Sequence, residues 1–367
     1  MMQQIALTIK PTMNCNMRCK HCFNGDAWKT SDTLSVDLAK RFVEIAAKDY
    51  RLIKVTFHGG EPTLAGYDFY SKFYAFEKEL NQQYGIEFNN LFTTNGMALT
   101  EDLMNLLIAN DTLINVSFDG PFNEVLRQNT EFVYKNIEKL KSKKARMRIF
   151  CTVSSTALGH LKEIYEWFNG NSLDFKILPI EPRGYARENS QYLVSSDKFS
   201  LELAELYDYW LNDKNCKIRI YTFEEFIKLK RHIQFKPFWF SREIALNPDG
   251  KIYPFGRPND VNFCLGSVLE VNSLLECFES YEYERMIKIL KQYHENFCVN
   301  CPSKGVCNGV ILCMSYMYDS DITMLRHSCQ SANEIFQCIL DINEKFFEKF
   351  DRCDMENYNP MIEKSLL

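Results

Sequence analysis

Three cysteines near the amino terminus have the spacing of a ligand set for an iron–sulfur cluster. Cys15, Cys19 and Cys22 stand in the run C-N-M-R-C-K-H-C, directly after the strand-like residues 5–10. Three thiolates hold three irons of a cubane [4Fe–4S] cluster and leave the fourth iron open to a small molecule. Because electron-transfer cubanes use four cysteines, this loop indicates chemistry at iron. The alternative is a structural zinc site, in which only His21 of the loop would supply the fourth ligand.

A glycine-rich turn follows further along the chain. The apolar strand pattern of residues 55–58 ends in Gly59-Gly60-Glu61-Pro62. Glycine lets a backbone approach a ligand closely, and strand-end carbonyls together with a carboxylate accept hydrogen bonds from an ammonium group. Turns of this composition are common on their own, but the position of this one after the cysteine loop makes the combination specific.

Together the two motifs resemble those of the radical S-adenosylmethionine (SAM) enzymes, whose Cx3CxxC loop is followed by an aromatic residue, here Phe23. In that family the open iron chelates the amino and carboxylate groups of SAM, and one electron releases a 5′-deoxyadenosyl radical that abstracts hydrogen. The resemblance implies that the GGEP turn binds the SAM amino group.

Three further residues stand where the resemblance implies contact with SAM. Asn95 belongs to a segment that is similar to the family's third-strand motif, and Ser117 to one that is similar to its fourth-strand motif. Ser117 is expected to contact the ribose or carboxylate of SAM. Arg127 corresponds to an arginine that many relatives place near the SAM carboxylate, and its alternative interpretation is a solvated helix residue.

Alternating strand and helix patterns in residues 4–181 predict an α/β fold with a parallel sheet and right-handed crossovers. The strand patterns lie at 4–10, 52–58, 86–94, 113–118, 146–155 and 174–180, and the helix patterns at 35–49, 66–84, 100–110, 129–144 and 159–169. The resemblance makes this a partial (β/α)6 radical SAM barrel. All the motifs then fall at the carboxyl ends of strands, where barrel enzymes place their active sites.

Composition narrows the class of protein. The chain has 367 residues, a net charge of −5 and 14 cysteines. This length accommodates a barrel-sized domain and a smaller one, and the mild acidity gives no electrostatic case for a nucleic-acid partner. Because neither a signal peptide pattern nor a long apolar run is present, we expect a cytoplasmic protein without a membrane partner. Cysteines in such a protein predict metal ligands rather than disulfides.

A second set of cysteines lies near the carboxyl terminus, at Cys298, Cys301, Cys307 and Cys329. With residues 246–254 they resemble the SPASM domain, a C-terminal extension found in radical SAM enzymes that mostly modify peptides. A complete SPASM domain carries two auxiliary [4Fe–4S] clusters, and these four cysteines match the outer one. Four thiolates at this spacing are also suited to zinc.

The inner auxiliary cluster is predicted to be absent. An alignment on residues 248–250 and Gly266 places Phe255, Val271 and Ile311 at its cysteine positions. We therefore predict one auxiliary cluster. The alternative is a rearranged inner cluster built from nearby thiols, although free cysteine is commonly a small buried hydrophobe. Those thiols are Cys264, Cys277 and Cys313.

The predicted organisation has four parts. They are a radical SAM partial barrel in 1–190, a helical bridge in 191–240, a SPASM-like auxiliary-cluster domain in 241–345 and a tail in 346–367. Within the third part, the run N-P-D-G at 247–250 predicts a hairpin turn between two apolar runs.

The resemblance implies a radical SAM oxidoreductase that acts on a ribosomally made precursor peptide. A fully ligated auxiliary cluster would relay an electron, which favours an oxidative side-chain cross-link through a C–C, C–S or C–O bond. The implied partners are the peptide and an external electron donor of the flavodoxin or ferredoxin type. Because the chain starts at barrel strand 1 without a winged-helix domain, any leader peptide is expected to bind a separate protein or the barrel and SPASM surfaces.

Other functions stay open at this point. A sulfatase-maturase-like enzyme would form formylglycine, but those relatives keep both auxiliary clusters and carry an aspartate base where this chain has Asn272. A peptide epimerase needs a thiol hydrogen donor, for which Cys264 and Cys313 are candidates by location. A dehydrogenase of a small alcohol is a further alternative. A non-catalytic iron–sulfur or zinc scaffold is disfavoured because it has no use for an open iron.

Overall fold

The computed structural model describes residues 4–29, 32–180, 182–229, 243–256, 261–303, 307 and 322–366. The chain forms two compact units, and each is described by itself. The first unit comprises Met1–Ser117, Gln128–Met147 and Ser241–Ile289, and the second unit comprises Phe118–Arg127, Arg148–Phe240 and Leu290–Leu367. Within the described residues, no helix has the length and apolar character needed to cross a membrane.

The secondary structure follows the sequence patterns closely. The described strands are β1 (Gln4–Ile9), β2 (Leu52–Phe57), β3 (Glu87–Thr94), β4 (Leu113–Ser117), β5 (Met147–Val153), β6 (Phe175–Pro179), β7 (Glu243–Leu246), β8 (Lys251–Pro254) and β9 (Gly266–Ser267). The described helices are α1 (Val36–Asp49), α2 (Tyr67–Tyr84), α3 (Glu101–Ala109), α4 (Asn123–Leu126), α5 (Thr130–Ser142), α6 (Leu161–Gly170), α7 (Tyr185–Glu188), α8 (Ser196–Leu211), α9 (Tyr221–Leu229), α10 (Leu274–Phe278), α11 (Tyr281–Phe297), α12 (Ile322–Lys349) and α13 (Met361–Leu366).

A sheet with the order β4-β3-β2-β1-β7-β8-β9 forms the centre of the first unit. Strands β1 to β4 run parallel, with Leu7 opposite Val55 and Val55 opposite Asn90 in the register. Ile5 and Leu7 of β1 are fully buried, as expected for parallel strands that are covered on both faces. The parallel arrangement places the carboxyl ends of these strands along one edge of the sheet.

Local signals set the ends of the helices that cover this sheet. The Ser35 side chain accepts a hydrogen bond from the Leu38 backbone N–H and caps α1, and Thr100 caps α3 in the same way through Leu103. Helix α2 ends at Gly85, whose φ of 65° is in the left-handed region that favours glycine. The α/β fold with a parallel sheet is confirmed, since every strand and helix predicted in 4–181 is present with ends shifted by at most two residues.

The hairpin predicted at 247–250 is also confirmed. Strands β7 and β8 pair antiparallel, and β7 lies parallel to β1, with Leu246 opposite Ile9. Helix α1 binds the segment after β9, because Arg41 Nε donates to the Val268 carbonyl oxygen and Lys48 Nζ to the Asn272 carbonyl oxygen, each at 2.7 Å. The amino-terminal part of the SPASM-like region thus extends the sheet of the first unit. The four-part domain division stays a prediction.

In the second unit, β5 and β6 pair in parallel, and helices pack around an aromatic core. Tyr207 and Trp210 of α8 are fully buried. Asn343 of α12 accepts a hydrogen bond from the Tyr207 hydroxyl at 2.6 Å and donates to the Phe226 carbonyl oxygen of α9 at 3.0 Å. One buried amide therefore joins three helices of this unit.

Candidate active site

The three amino-terminal cysteines lie on the loop that follows β1, and all three are half-buried. The Cys22 backbone N–H donates to the Cys19 carbonyl oxygen at 3.1 Å, which closes a turn between these two residues. Arg18 Nη1 donates to the Cys15 carbonyl oxygen at 2.7 Å, and its guanidinium carbon lies 3.5 Å from the centre of the Trp28 ring. Stacking of this kind stabilises an exposed arginine, so Arg18 connects the loop to the 3₁₀ helix Gly25–Lys29 that follows it.

The GGEP turn packs backbone to backbone against the cysteine loop. The Gly60 N–H donates to the Thr12 carbonyl oxygen at 2.9 Å, and the Glu61 N–H donates to the Asn14 carbonyl oxygen at 2.8 Å. A Cβ atom on Gly60 would lie 2.2 Å from the carbonyl oxygens of both Met13 and Asn14. The sequence alone assigns these glycines to ligand approach, whereas the structure shows that Gly60 is required for contact with the loop.

Glu61 is almost fully buried, and its carboxylate joins the ends of β2 and β3. Oε1 accepts hydrogen bonds from the Thr63 N–H at 3.1 Å, the Thr63 hydroxyl at 2.7 Å and the Thr94 hydroxyl at 2.7 Å. Oε2 accepts from the Asn95 N–H at 2.7 Å. Burial raises the pKa of Glu61, and these hydrogen bonds oppose the increase. Thr63 and Thr94 were not singled out by sequence reasoning; their hydroxyls beside two recognised motifs were the available signal.

Asn95 connects this network to the cysteine loop. Its Nδ2 donates to Asn16 Oδ1 at 2.8 Å and lies 3.7 Å from Cys15 Sγ. The Met17 N–H lies 3.5 Å from the same sulfur. Burial raises the pKa of the Cys15 thiol, and the two N–H donors oppose the increase. The structure therefore brings Cys15, Glu61 and Asn95 together, although they come from three separate motifs.

Phe23, Pro62 and Ser117 lie near the ends of the same strands. The Phe23 ring is 5.9 Å from the His58 ring at the end of β2. Pro62 is buried at the start of a short 3₁₀ helix, and Ser117 is the half-buried last residue of β4. Their contacts with SAM stay predictions.

Arg127 belongs to the second unit, where it forms a buried ion pair. Its Nε donates to Asp119 Oδ2 at 2.8 Å and its Nη2 to the Thr152 hydroxyl at 3.2 Å. Asp119 Oδ1 accepts from the Thr152 N–H at 2.7 Å. Burial raises the pKa of Asp119, and the Arg127 charge opposes the increase. Arg127 is only 9% exposed, so its interpretation as a solvated helix residue is wrong. Asp119 was missed by sequence reasoning, although a carboxylate just after a strand was a usable signal.

The four carboxyl-terminal cysteines lie within the second unit. Cys298 directly follows α11, and Cys329 lies on α12. The Cys301 N–H donates to the Cys298 carbonyl oxygen at 3.2 Å. Burial, together with smaller contributions from the charges of Cys298, Cys307 and Cys301, raises the pKa of Cys329 to about 12. The role of these four thiols as ligands of one cluster stays a prediction.

The two described residues that the sequence alignment assigns to inner-cluster positions have buried apolar side chains. Phe255 is 2% exposed and Val271 is also buried. Cys264 is half-buried, and Cys277 lies buried on α10, where burial raises its pKa to about 12. The remaining two residues of this prediction, Ile311 and Cys313, lie outside the described residues.

The residues of the cysteine loop fit a [4Fe–4S] cluster in their chemistry, because three half-buried thiols stand with N–H donors directed at Cys15 Sγ. In the part of the chain that the structure describes, no three or more His, Cys, Asp or Glu side chains converge closely enough to hold a single metal ion.

Comparisons with known proteins identify relatives that match part or most of the chain. The sequence model of the Radical SAM superfamily matches residues 9–168. A cysteine-type anaerobic sulfatase-maturating enzyme of Clostridium perfringens is 25% identical over 364 residues, which cover 92% of this chain and 96% of the relative. A serine-type enzyme of Bacteroides thetaiotaomicron is 23% identical over 241 residues, which cover 57% of this chain and 58% of the relative.

Solved structures show the same fold. The structure of native anSMEcpe with bound AdoMet and a peptide superposes with a TM-score of 0.80 at 21% identity, covering 94% of this chain and 99% of that one. Streptococcus suis SuiB bound to precursor peptide SuiA gives a TM-score of 0.58 at 15% identity, covering 76% of this chain and 66% of that one. The cofactors of the radical SAM family are a [4Fe–4S] cluster and SAM. The chain therefore contains a radical SAM domain in residues 9–168 and is homologous to the anaerobic sulfatase-maturating enzymes.

Proposed function

We propose that this chain is a radical SAM maturase that removes a hydrogen atom from a ribosomally made peptide and leaves an oxidative cross-link between two side chains. The observation that carries the proposal is the pairing of a complete cysteine loop with an altered SPASM-like region. Phe255 and Val271, which the sequence alignment assigns to inner-cluster positions, are buried, and the alignment places the exposed Asn272 where sulfatase maturases carry an aspartate base.

In this proposal, the motifs of the chain would have the following roles in binding the cluster and SAM. Cys15, Cys19 and Cys22 hold the cluster, which together with SAM supplies the radical that abstracts hydrogen. The carbonyl groups of the GGEP turn accept from the SAM amino group, because the Glu61 carboxylate is already occupied by Thr63, Thr94 and Asn95. Ser117 would contact the ribose or the carboxylate of SAM.

Formation of a cross-link requires an acceptor for one electron. Joining two side chains removes two hydrogens from the peptide, one as a hydrogen atom and one as a proton, so one electron must leave as the bond forms. One auxiliary [4Fe–4S] cluster held by Cys298, Cys301, Cys307 and Cys329 would accept it. An external donor of the flavodoxin or ferredoxin type would supply the electron that starts the reaction.

A peptide substrate is supported by the relatives. Native anSMEcpe is known with a bound peptide, and SuiB with its precursor peptide. The homologous enzymes are named for maturation of sulfatases, which are themselves polypeptides. We therefore infer a polypeptide substrate also for this chain.

Formylglycine formation is the second candidate, and the similarity to both cysteine-type and serine-type maturating enzymes favours it. The region around Asn272 argues against it. The Asn272 side chain is an exposed amide, the Asn272 carbonyl oxygen accepts from Lys48, and its N–H donates to Glu276. No carboxylate stands at this position to take a proton from a cysteine or serine substrate.

The two candidates are separated by mass spectrometry of a peptide co-expressed anaerobically with the chain. A cross-linked product has lost two hydrogen atoms, shows no reaction with a hydrazide and resists fragmentation between the joined residues. A hydrazide-reactive product contains formylglycine and overturns the cross-link proposal. Unchanged mass with deuterium uptake from heavy water indicates an epimerase. The Cys15→Ala variant is the matched control and is expected to leave the peptide unmodified.

A count of iron tests the number of clusters independently of the substrate. About eight irons per chain after anaerobic reconstitution agree with two cubanes, whereas about twelve indicate a third cluster and contradict the loss of the inner one. Zinc at one ion per chain with about four irons would assign the carboxyl-terminal cysteines to zinc instead.

A further inference from the structure

The side-chain amide of Asn95 has a defined orientation. Its Oδ1 accepts a hydrogen bond from the Met97 N–H at 2.9 Å, and a backbone N–H can be satisfied only by the oxygen of the amide. The opposite end must therefore be the NH₂ group. That group lies 2.8 Å from Asn16 Oδ1 and 3.7 Å from Cys15 Sγ, so the sulfur has an N–H donor directed at it.

Glu61 restrains the residue that carries this donor. Its Oε2 accepts from the Asn95 N–H at 2.7 Å, while its Oε1 accepts from the hydroxyl of the neighbouring Thr94, also at 2.7 Å. Asn95 is thus held by its backbone on one side and by the Met97 N–H on the other. Because Glu61 is 1% exposed, water does not compete for these hydrogen bonds.

We propose that Asn95 sets the reduction potential of the SAM-binding cluster through an N–H···S hydrogen bond to Cys15, and that Glu61 is the positioning residue that keeps the amide in place. This inference rests on the proposed function in one respect, namely that Cys15 is a cluster ligand. It changes the sequence-based interpretation of Asn95 from a residue that binds SAM to one that acts on a ligand sulfur.

The direction of the effect follows from charge. Reduction adds negative charge to the cluster, part of which resides on the ligand sulfurs, so an N–H donor stabilises the reduced form more than the oxidised form. Removing the donor lowers the potential. At a fixed solution potential we expect the ratio of reduced to oxidised cluster to fall by about fivefold to tenfold in Asn95→Ala, where tenfold in a one-electron couple corresponds to 59 mV.

An anaerobic redox titration followed by electron paramagnetic resonance tests this on the cluster-loaded protein. Asn95→Ala and Asn95→Asp are both expected to lower the potential, Asn95→Asp more strongly because it replaces the donor with an acceptor. The matched control is Asn81→Ala on α2, which removes the hydrogen bond from the Asn81 amide to the Ile86 carbonyl oxygen and should leave the potential unchanged. Glu61→Gln should shift the potential in the same direction, and less than additively with Asn95→Ala.

Unchanged potentials in both Asn95 variants, with full iron content, would overturn the inference. If the variants assemble no cluster, the wild-type protein with isotopically labelled asparagine side chains still tests it. A weak nitrogen coupling to the reduced cluster is expected, and its absence overturns the proposal. Retention of the SAM-binding cluster in Cys15→Ala would instead refute the ligand assignment, so the two failures are distinguishable.

Discussion

Glu77 on α2 is expected to make the stability of the first unit depend on pH. Its side chain is buried, and Oε2 accepts a hydrogen bond from Asn90 Nδ2 of β3 at 2.7 Å. Burial raises the pKa of Glu77 from 4.5 to about 8, and the hydrogen bond from Asn90 opposes the increase. Between these values the folded protein binds a proton that the unfolded chain has released. Stability is therefore greatest below the unfolded pKa and falls as the pH rises towards 8.

The size of this effect follows from the shift. Each pKa unit corresponds to about 1.4 kcal/mol, so a shift of this size gives an upper bound of about 4–5 kcal/mol on the pH-dependent change in the free energy of unfolding. The Glu77→Gln variant stays neutral at every pH and keeps an oxygen acceptor for Asn90. It is expected to unfold at nearly the wild-type denaturant concentration near pH 5 and to be more stable by roughly 3 kcal/mol near pH 8.

Anaerobic urea unfolding of the cluster-loaded protein, followed by circular dichroism at both pH values, measures this difference. Glu79→Gln is the control, because Glu79 is exposed on the same helix and its replacement should give no pH-dependent difference from wild type. An equal difference between Glu77→Gln and wild type at both pH values would refute the reasoning, since it would mean that Glu77 is charged in the folded protein.

Three further changes probe the cysteine sites and the buried ion pair. Gly60→Ala places a Cβ 2.2 Å from two carbonyl oxygens of the cysteine loop and should reduce the amount of iron bound per chain. The control is Gly170→Ala, which has open space around its Cβ position and should bind as much iron as the wild type. Equal iron contents in the two variants would contradict this. Asp119→Asn leaves the buried Arg127 guanidinium without its counter-charge and should cost about 3–5 kcal/mol in unfolding experiments, a loss that an exposed pair would not show. Cys329→Ser should remove about four irons per chain while 5′-deoxyadenosine formation from SAM continues, and unchanged iron would refute its assignment as a ligand.

The position of the site could be predicted from the sequence for two reasons. The cysteine ligand set lies within one loop, and the motifs follow strands of a parallel sheet. A ligand set such as Cys15, Cys19 and Cys22 is defined by spacing within one loop. The alternation of strands and helices then implied that the segments after β1, β2, β3 and β4 lie at one edge of the sheet. Asn95 and Ser117 were identified by resemblance to the family's strand motifs, and the alternation of strands and helices placed both residues correctly at strand ends.

The contacts between these segments could not be predicted from the sequence, because they depend on the register of the strands and on which side chains are buried. Gly60 was assigned to ligand approach, but its missing side chain is needed against Met13 and Asn14. Arg127 had two interpretations, and its buried hydrogen bond to Asp119 contradicts only the one as a solvated helix residue. Neither result follows from spacing, since each depends on where another segment lies in three dimensions.

The sequence by itself determined the chemistry available to this protein, namely three thiols on one loop, a glycine-rich turn, and four further thiols near the carboxyl terminus. Only the tertiary structure decided how the first site is held. The Glu61 carboxylate binds Thr94 and Asn95, and the Asn95 amide in turn reaches Cys15. These residues are far apart along the chain, so hydrogen bonds between them exist only once parallel pairing brings the strand ends together and burial excludes the water that would otherwise bind the same groups.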